Sequence, residues 1–231
     1  MKIQFYKTEI IYQGKFYKIL SPVIPLTDTY IGVVTDNTPF VFANKADFIS
    51  LATLFTLLTE MKGVIIYLPT RNNQTDYLKQ IWFGVGNSLD MVICHHSLQF
   101  KQRLFKVLKN RLSKRNLVSF KLDIMKFADI AFDKKFWYRE NKDLLDITKG
   151  QDTLFLAGSA KVFAQLAREC LRFRGIAEEP PYHIHTHLDT YLRHGGTQCY
   201  EGDMQLCFYD ELLWQKWFDE QGKVGASVNG I

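Results

Sequence analysis

The first 44 residues alternate apolar and polar positions, a pattern typical of half-buried β-strands. The segment QGK, with Gly14, and the segment DNTP interrupt this alternation and are turn signals. Strands are predicted over 2–12, 16–23, 29–36 and 39–44. Successive strands joined by short turns predict an N-terminal β-meander.

The period changes at residue 44. Over 44–63, Phe48, Leu51, Phe55 and Leu58 recur at spacings of three and four, which predicts a buried helix that Gly63 ends. The rest of the middle region alternates short apolar runs with helical periods. Strands are predicted over 64–69, 89–96 and 117–125, and helices over 74–84 and 98–112. This order predicts a central βαβαβ arrangement of parallel strands joined by crossover helices.

The last third of the chain predicts a βαββα order. Residues 126–150 have no single period, and we expect a connector with helical pieces. A strand over 153–159, a helix over 159–175, a histidine-rich strand, a strand over 203–210 and a helix over 211–221 follow. The chain is therefore predicted to be an α+β protein, with a mixed α/β region over 1–150 and a βαββα region over 151–231. The sequence leaves open whether these regions form one continuous domain.

Composition excludes two classes of protein. Hydrophobic residues make up 47% of the chain, which is too many for a disordered protein. The most apolar run, 49–58, contains two threonines and is far shorter than the roughly 20 apolar residues that span a bilayer. From Gln4 onward, polar residues interrupt the N-terminus, whereas a secretion signal needs a continuous apolar region, and the four cysteines form no CxxC pair. We therefore expect a cytoplasmic protein with buried free thiols.

The positive charge of the chain is local. The formal net charge is +5, but the segment 101–116 contains 7 of the 29 basic residues and no acid. The other 22 basic residues face 24 acidic ones, so the remainder of the chain is close to neutral. One basic patch is therefore expected, which could bind an acidic protein or, as the lower-ranked alternative, nucleic acid through Lys106, Lys109 and Arg111.

Three of the six histidines lie in the segment HIHTHLD, over 183–189. On a strand, His183, His185 and His187 would share one face, with Asp189 at the end of the strand. Alternate residues lie about 6.6 Å apart, so two neighbouring histidines can converge on one metal ion. A zinc ion or another divalent metal would need further ligands from elsewhere, and His95 and His96 close the strand predicted over 89–96.

The histidine strand supports two interpretations. HxH pairs are similar to the metal-binding motifs of amidohydrolases and PHP phosphoesterases, and this similarity implies a metal-dependent hydrolase that uses His183, His185 and Asp189. In the simpler interpretation the strand is a solvated or contact surface. We expect the second, with His183, His185, His187 and Asp189 as binding residues and no cofactor.

A glycine and a serine precede the helix predicted over 159–175. A strand that runs into Gly158, Ser159 and a helix N-terminus can bind an anion. Neither GxGxxG, GKS/T nor GxSxG is present, so we expect Ser159 to act as the N-cap of the helix.

The order of motifs in the last third resembles that of a small immunity-protein family from bacterial toxin–immunity systems. The resemblance rests on Gly158 and Ser159 after a strand, a helix with Leu166 and Leu171, and a histidine-rich strand, followed by the closing strand GDMQLCFYD. It implies a non-enzymatic protein that binds and neutralises a partner protein. We therefore expect a binding protein, with the metal-dependent hydrolase as the alternative.

Overall fold

A computed structural model describes residues 1–33, 39–75, 78, 88–114, 116–131, 143, 145–150, 152–175, 185–188 (backbone only), 204–217 and 219. These residues form two β-sheets that share a hydrophobic core with two of the helices. The mixture of helices and strands, with parallel and antiparallel pairs, confirms the predicted α+β class.

The first sheet has seven strands in the order β7-β1-β2-β5-β6-β9-β8. These strands are β1 (Lys2–Tyr12), β2 (Lys15–Pro22), β5 (Ile65–Leu68), β6 (Asp90–His95), β7 (Asn116–Lys121), β8 (Asp146–Gly150) and β9 (Thr153–Gly158). Strands β1 and β2 form the predicted hairpin, and Gln13 and Gly14 have positive φ angles of 50° and 72° in its turn. Two successive positive φ values fit the right-handed twist of a two-residue hairpin.

The sheet is mixed and contains parallel pairs, but the strands of the predicted central βαβαβ unit are not parallel neighbours. Strand β5 pairs with β6 in the antiparallel sense, and β7 pairs with β1 at the far edge of the sheet. The parallel pairs in this sheet are β2 with β5 and β6 with β9. Continuous apolar runs such as Ile65–Leu68 are buried on both faces. The sequence pattern indicates this burial, but it does not indicate the direction of the neighbouring strand.

The second sheet has four strands in the order β10-β11-β4-β3. They are β3 (Tyr30–Val33), β4 (Pro39–Ala43), β10 (His185–Leu188) and β11 (Met204–Phe208). The four predicted N-terminal strands exist, but they divide between the two sheets instead of forming one meander. Strand β11 lies parallel to β4, with Gln205 opposite Phe40, so the regions on either side of residue 150 contribute to both sheets.

Helices α1 (Lys45–Glu60) and α3 (Ala160–Arg172) pack together over one face of the first sheet. Asn44 caps α1 by accepting the backbone N–H of Asp47 at 2.9 Å. The rings of Phe48 and Phe173 stack with centroids 4.0 Å apart. Every residue from Leu51 to Leu58 is buried, as the sequence predicted for this helix.

Within the basic segment, residues 101–114 cover the opposite face of the first sheet. They contain a 3-10 turn over Gln102–Leu104 and the short helix α2 (Phe105–Lys109), instead of the longer helix predicted over 98–112. Gln99 adopts a positive φ of 45°, which ends the turn of residues 96–98 and prevents a continuous helix. Phe105 and Leu108 are buried in a second apolar cluster with Tyr67 and Phe155.

The connector predicted over 126–150 lies partly outside the described residues. It begins with a 3-10 turn (Met125–Phe127) and ends with strand β8. The C-terminal order β9, α3, β10, β11 and a helix over 211–217 agrees with the predicted βαββα order. Among the helices that the structure describes, none has the length and apolar character required to cross a bilayer.

Candidate functional site

The structure places the backbone of two of the predicted histidines in a strand. His185 and His187 lie in β10, opposite Cys207 and Gln205 of β11. His183 and Asp189 lie outside the described residues. Both interpretations of HIHTHLD, the contact surface and the alternative metal site, therefore stay predictions.

The other histidine pair lies at the end of β6 in the first sheet. His95 is buried and its Nδ1 accepts the backbone N–H of Ser97 at 3.2 Å, with Ser97 Oγ at 2.8 Å. Burial lowers the pKa of His95, and the neighbouring charges of His96 and Lys62 lower it further. His95 is thus a neutral N-cap of a 3-10 turn. Where side chains are described, no group of three metal-ligating residues occurs.

Gly158 and Ser159 have structural roles. Ser159 Oγ accepts the backbone N–H groups of Lys161 and Val162 at 3.1 and 3.2 Å, which confirms the predicted N-cap. A Cβ atom at Gly158 would lie 2.9 Å from Cγ1 of Val162. The absence of a side chain at Gly158 thus lets the first turn of α3 pack against the end of β9.

A different group of charged residues lies at the opposite end of β6. The Asp90 side chain, only 4% exposed, accepts hydrogen bonds from the Tyr67 hydroxyl at 2.9 Å, Lys109 Nζ at 2.6 Å and the Arg71 backbone N–H at 3.1 Å. Burial and then the charge of Asp90 raise the pKa of Tyr67, so this hydroxyl remains a donor. Three hydrogen-bond donors therefore offset the free-energy cost of burying the Asp90 carboxylate.

Lys109 lines a groove of about 570 Å³ between the basic segment and the β8–β9 hairpin. We call this cavity the basic groove. One wall comes from the basic segment and the other from the hairpin: Gln102, Arg103, Phe105, Lys106, Lys109 and Asn110 face Lys149, Gly150, Asp152, Thr153 and Phe155. Gln102 links the two walls by donating a hydrogen bond to the Thr148 hydroxyl of β8.

The basic groove carries a net positive charge. Its lining contains four cations (Arg103, Lys106, Lys109 and Lys149) and one carboxylate, Asp152. Burial acts to raise the pKa of Asp152, but the charges of Lys109 and Arg71 and the hydroxyl of Thr153 outweigh it and lower the pKa. The carboxylate is therefore ionised at neutral pH, and the lining residues alone have a net charge of +3, before the Asp90 carboxylate that pairs with Lys109 is counted.

The sequence pointed to one wall of the basic groove. The concentration of basic residues over 101–116 identified Lys106 and Lys109. Arg111 lies outside the groove, with its guanidinium carbon 5.4 Å from the centroid of the Tyr12 ring. Lys149, Asp152 and Asp90 were missed, because each is an ordinary charged residue in its local sequence and only the fold brings it to the groove.

Comparison with known proteins identifies no relative. No family model matches the chain, and neither the curated proteins nor the solved structures contain a significant match.

Proposed function

We propose that this chain is a binding protein that holds an acidic segment of a partner protein in the basic groove. The observation that carries the proposal is the concentration of four cations around one cavity in a chain whose remaining charge is nearly balanced. Complementary charge speeds association and selects among partners.

The dimensions and walls of the groove support binding of a short segment. A volume of about 570 Å³ is within the range of about 300–1,000 Å³ that is typical of ligand sites. Phe105 and Phe155 are almost completely buried beneath the charged rim and give the groove a packed floor. The cations are thus presented on a fixed support and not on a loose loop.

The resemblance of the last third to immunity proteins supports a protein as the partner and neutralisation as the result of binding. Those motifs lie in β9, α3 and β11, and β9 also forms one wall of the basic groove. We propose this immunity-like role for a cytoplasmic protein that needs no cofactor.

Fluorescence anisotropy with a labelled peptide of eight glutamates tests the proposed function. The wild-type protein is expected to bind this peptide at low salt, to bind it more weakly as salt increases, and not to bind a peptide of eight glutamines. Arg103→Ala and Lys106→Ala should each weaken binding about threefold, the size expected for an exposed charge contact. Lys161→Ala on α3, across the sheet, is the matched control and should have no effect.

Three results would contradict the proposal. The glutamate peptide fails to bind at low salt, the two groove variants bind as well as the wild type, or Lys161→Ala weakens binding equally. A single-stranded oligonucleotide of equal charge should bind no more tightly than the peptide. Tighter binding of the oligonucleotide would favour the nucleic-acid alternative instead.

A further inference from the structure

The charges of the basic groove are divided unevenly between its two ends. At one end, Arg103 and Lys106 line the groove as exposed residues. Within the described part of the chain, neither of them forms a salt bridge. They lie three residues apart, on the 3-10 turn and on α2, so their side chains are neighbours. We call this the cationic end, because both charges are available to a partner.

At the other end of the groove, the cation Lys109 is already paired. Its Nζ lies 2.6 Å from Asp90 Oδ2. Burial acts to raise the pKa of the neighbouring Asp152, but the charge of Lys109 lowers it, and Arg71 Nη1 lies 2.5 Å from Asp152 Oδ2. The charges of Lys109 and Arg71 therefore balance those of Asp90 and Asp152. We call this the neutral end.

The neutral end offers hydrogen bonds instead of net charge. Asn110 and Thr153 line it beside Asp152. An ionised carboxylate only accepts hydrogen bonds, so a partner carboxylate would meet Asp152 as a like charge with no proton to share. A neutral amide can donate to Asp152 through its NH₂ group and accept from Asn110 through its oxygen. An uncharged polar side chain thus suits this end better than an acidic one.

We propose that the basic groove selects a partner segment in which a short acidic stretch adjoins uncharged polar residues, and that Asp152 disfavours a continuous acidic run. The acidic residues occupy the cationic end and the uncharged residues occupy the neutral end. This inference rests on the proposed function and specifies the partner more closely. Specificity of this kind comes from a repulsive contact as much as from attractive ones.

The length of the groove sets the length of the selected stretch. The wall from Gln102 to Lys109 spans roughly 12 Å at the rise of a 3-10 turn followed by an α-helix. An extended segment advances about 3.3 Å per residue, so about four residues occupy the groove at once. About two residues therefore lie at each end, and a run of acidic residues that fills the groove places a carboxylate beside Asp152.

Three labelled peptides of eight residues with blocked termini test this inference by fluorescence anisotropy at low salt. One peptide has eight glutamates, and the other two replace the first two or the last two glutamates by glutamines. Both positions are included because a bound segment can run in either direction. Total charge alone favours the peptide of eight glutamates. We expect the opposite order for the wild type: one glutamine-ended peptide should bind about threefold more tightly, because its amides occupy the neutral end.

Asp152→Asn should reverse this order. The amide has the shape of the carboxylate without its charge, so the peptide of eight glutamates should gain about fivefold in affinity and become the tightest of the three. Glu9→Gln is the matched control, because it also removes one carboxylate from an exposed ion pair, that of Lys7 and Glu9. Glu9 lies on the opposite face of the sheet, since its neighbour Ile10 packs in the second apolar cluster. Glu9→Gln should leave the wild-type order unchanged.

Thermal melting of each variant checks that it is folded, and the wild-type order tests the inference without any variant. The inference is overturned if the peptide of eight glutamates binds the wild type most tightly. It is also overturned if the preference for a glutamine end persists in Asp152→Asn, or if Glu9→Gln reverses it equally. In these cases binding itself still supports the proposed function. If none of the three peptides binds the wild type, the proposed function is overturned as well.

Discussion

Lys109 Nζ lies 2.6 Å from Asp90 Oδ2, and the two residues differ sharply in exposure: the lysine side chain is 32% exposed and the aspartate side chain 4%. The carboxylate is the buried member of the pair, and the Tyr67 hydroxyl and the Arg71 N–H also donate to it. Asp90 thus fixes one cation of the basic groove and joins the groove to the core of the sheet.

Asp90→Ala should destabilise the protein by about 3 kcal/mol. The substitution leaves three donors without their acceptor, and removing one partner of a buried, hydrogen-bonded ion pair is costly. Urea unfolding followed by circular dichroism measures the difference. Asp152→Ala is the control, because the Arg71–Asp152 pair is largely exposed, and it should cost less than about 1 kcal/mol. Equal losses of unfolding free energy in the two variants would show that the burial of Asp90 does not determine its contribution to stability.

The buried Asp47 should make stability depend on pH in the direction opposite to most carboxylates. Burial raises its pKa from 3.8 to about 6, although the Thr29 hydroxyl and the Asp28 N–H, each at 2.9 Å, act to lower it. The folded state then binds more protons than the unfolded state between these pH values. The contribution of protonated Asp47 to the free energy of unfolding is therefore complete below pH 3.8 and is lost as pH rises through about 6.

Asp47→Asn isolates this contribution. The amide oxygen still accepts both hydrogen bonds but does not titrate, so the variant should gain free energy of unfolding relative to the wild type as pH rises from 4.5 to 7.5. For this pH range the linkage gives a change of about 2 kcal/mol. Chemical unfolding at both pH values measures the free energy of unfolding of the variant and of the wild type. If the difference between the two proteins is the same at both pH values, the raised pKa of Asp47 is contradicted.

Gly158→Ala should destabilise the protein by about 1–3 kcal/mol. The added Cβ would lie 2.9 Å from Cγ1 and 3.2 Å from Cβ of Val162, in the first turn of α3, so the helix must move away from β9. Gly63→Ala is the control, because its Cβ would meet nothing within 4 Å. Differential scanning calorimetry should show a clearly lower melting temperature for Gly158→Ala alone, and equal melting temperatures would refute the packing argument.

Elemental analysis decides between the two interpretations of the histidine strand. Untagged protein prepared without chelators should contain no stoichiometric zinc, iron or manganese, and His185→Ala should leave the metal content unchanged. The reason is spacing: His183 and His187 would be roughly 13 Å apart along a strand, so at most two neighbouring histidines of the segment could share one ion, and further ligands would have to come from elsewhere. Stoichiometric metal that is lost in His185→Ala would instead support the metal-dependent hydrolase.

Much of the secondary structure is readable from local sequence, because the helices and the apolar strands bury residues with a regular period. The N-cap Ser159 and the hairpin turn at Gly14 were predicted correctly because both depend on short-range backbone geometry. Strand β8 was missed, since in DITKG only Ile147 is buried and the other positions are polar. An edge strand with one inward side chain leaves almost no periodic signal.

The direction of each strand and the identity of its neighbours in the sheet were much less predictable from the sequence. Nothing in the apolar run Ile65–Leu68 distinguishes a parallel neighbour from an antiparallel one. The site shows the same limitation. Lys106 and Lys109 belong to a basic segment that is obvious in the sequence, whereas Lys149 and Asp152 meet them only through the pairing of β8 with β9 and of β9 with β6.

The pairing of β4 with β11 and of β6 with β9 has a consequence for how the protein is made. Each pair joins a strand from the first 100 residues to one beyond residue 150. During synthesis, one edge of β4 and one edge of β6 therefore keep unpaired backbone N–H and C=O groups until the later strands have been made. Such distant pairings slow folding and expose the nascent chain to aggregation. A chain divided near residue 150 should consequently give two fragments that are insoluble when expressed alone and that recover a folded protein when expressed together.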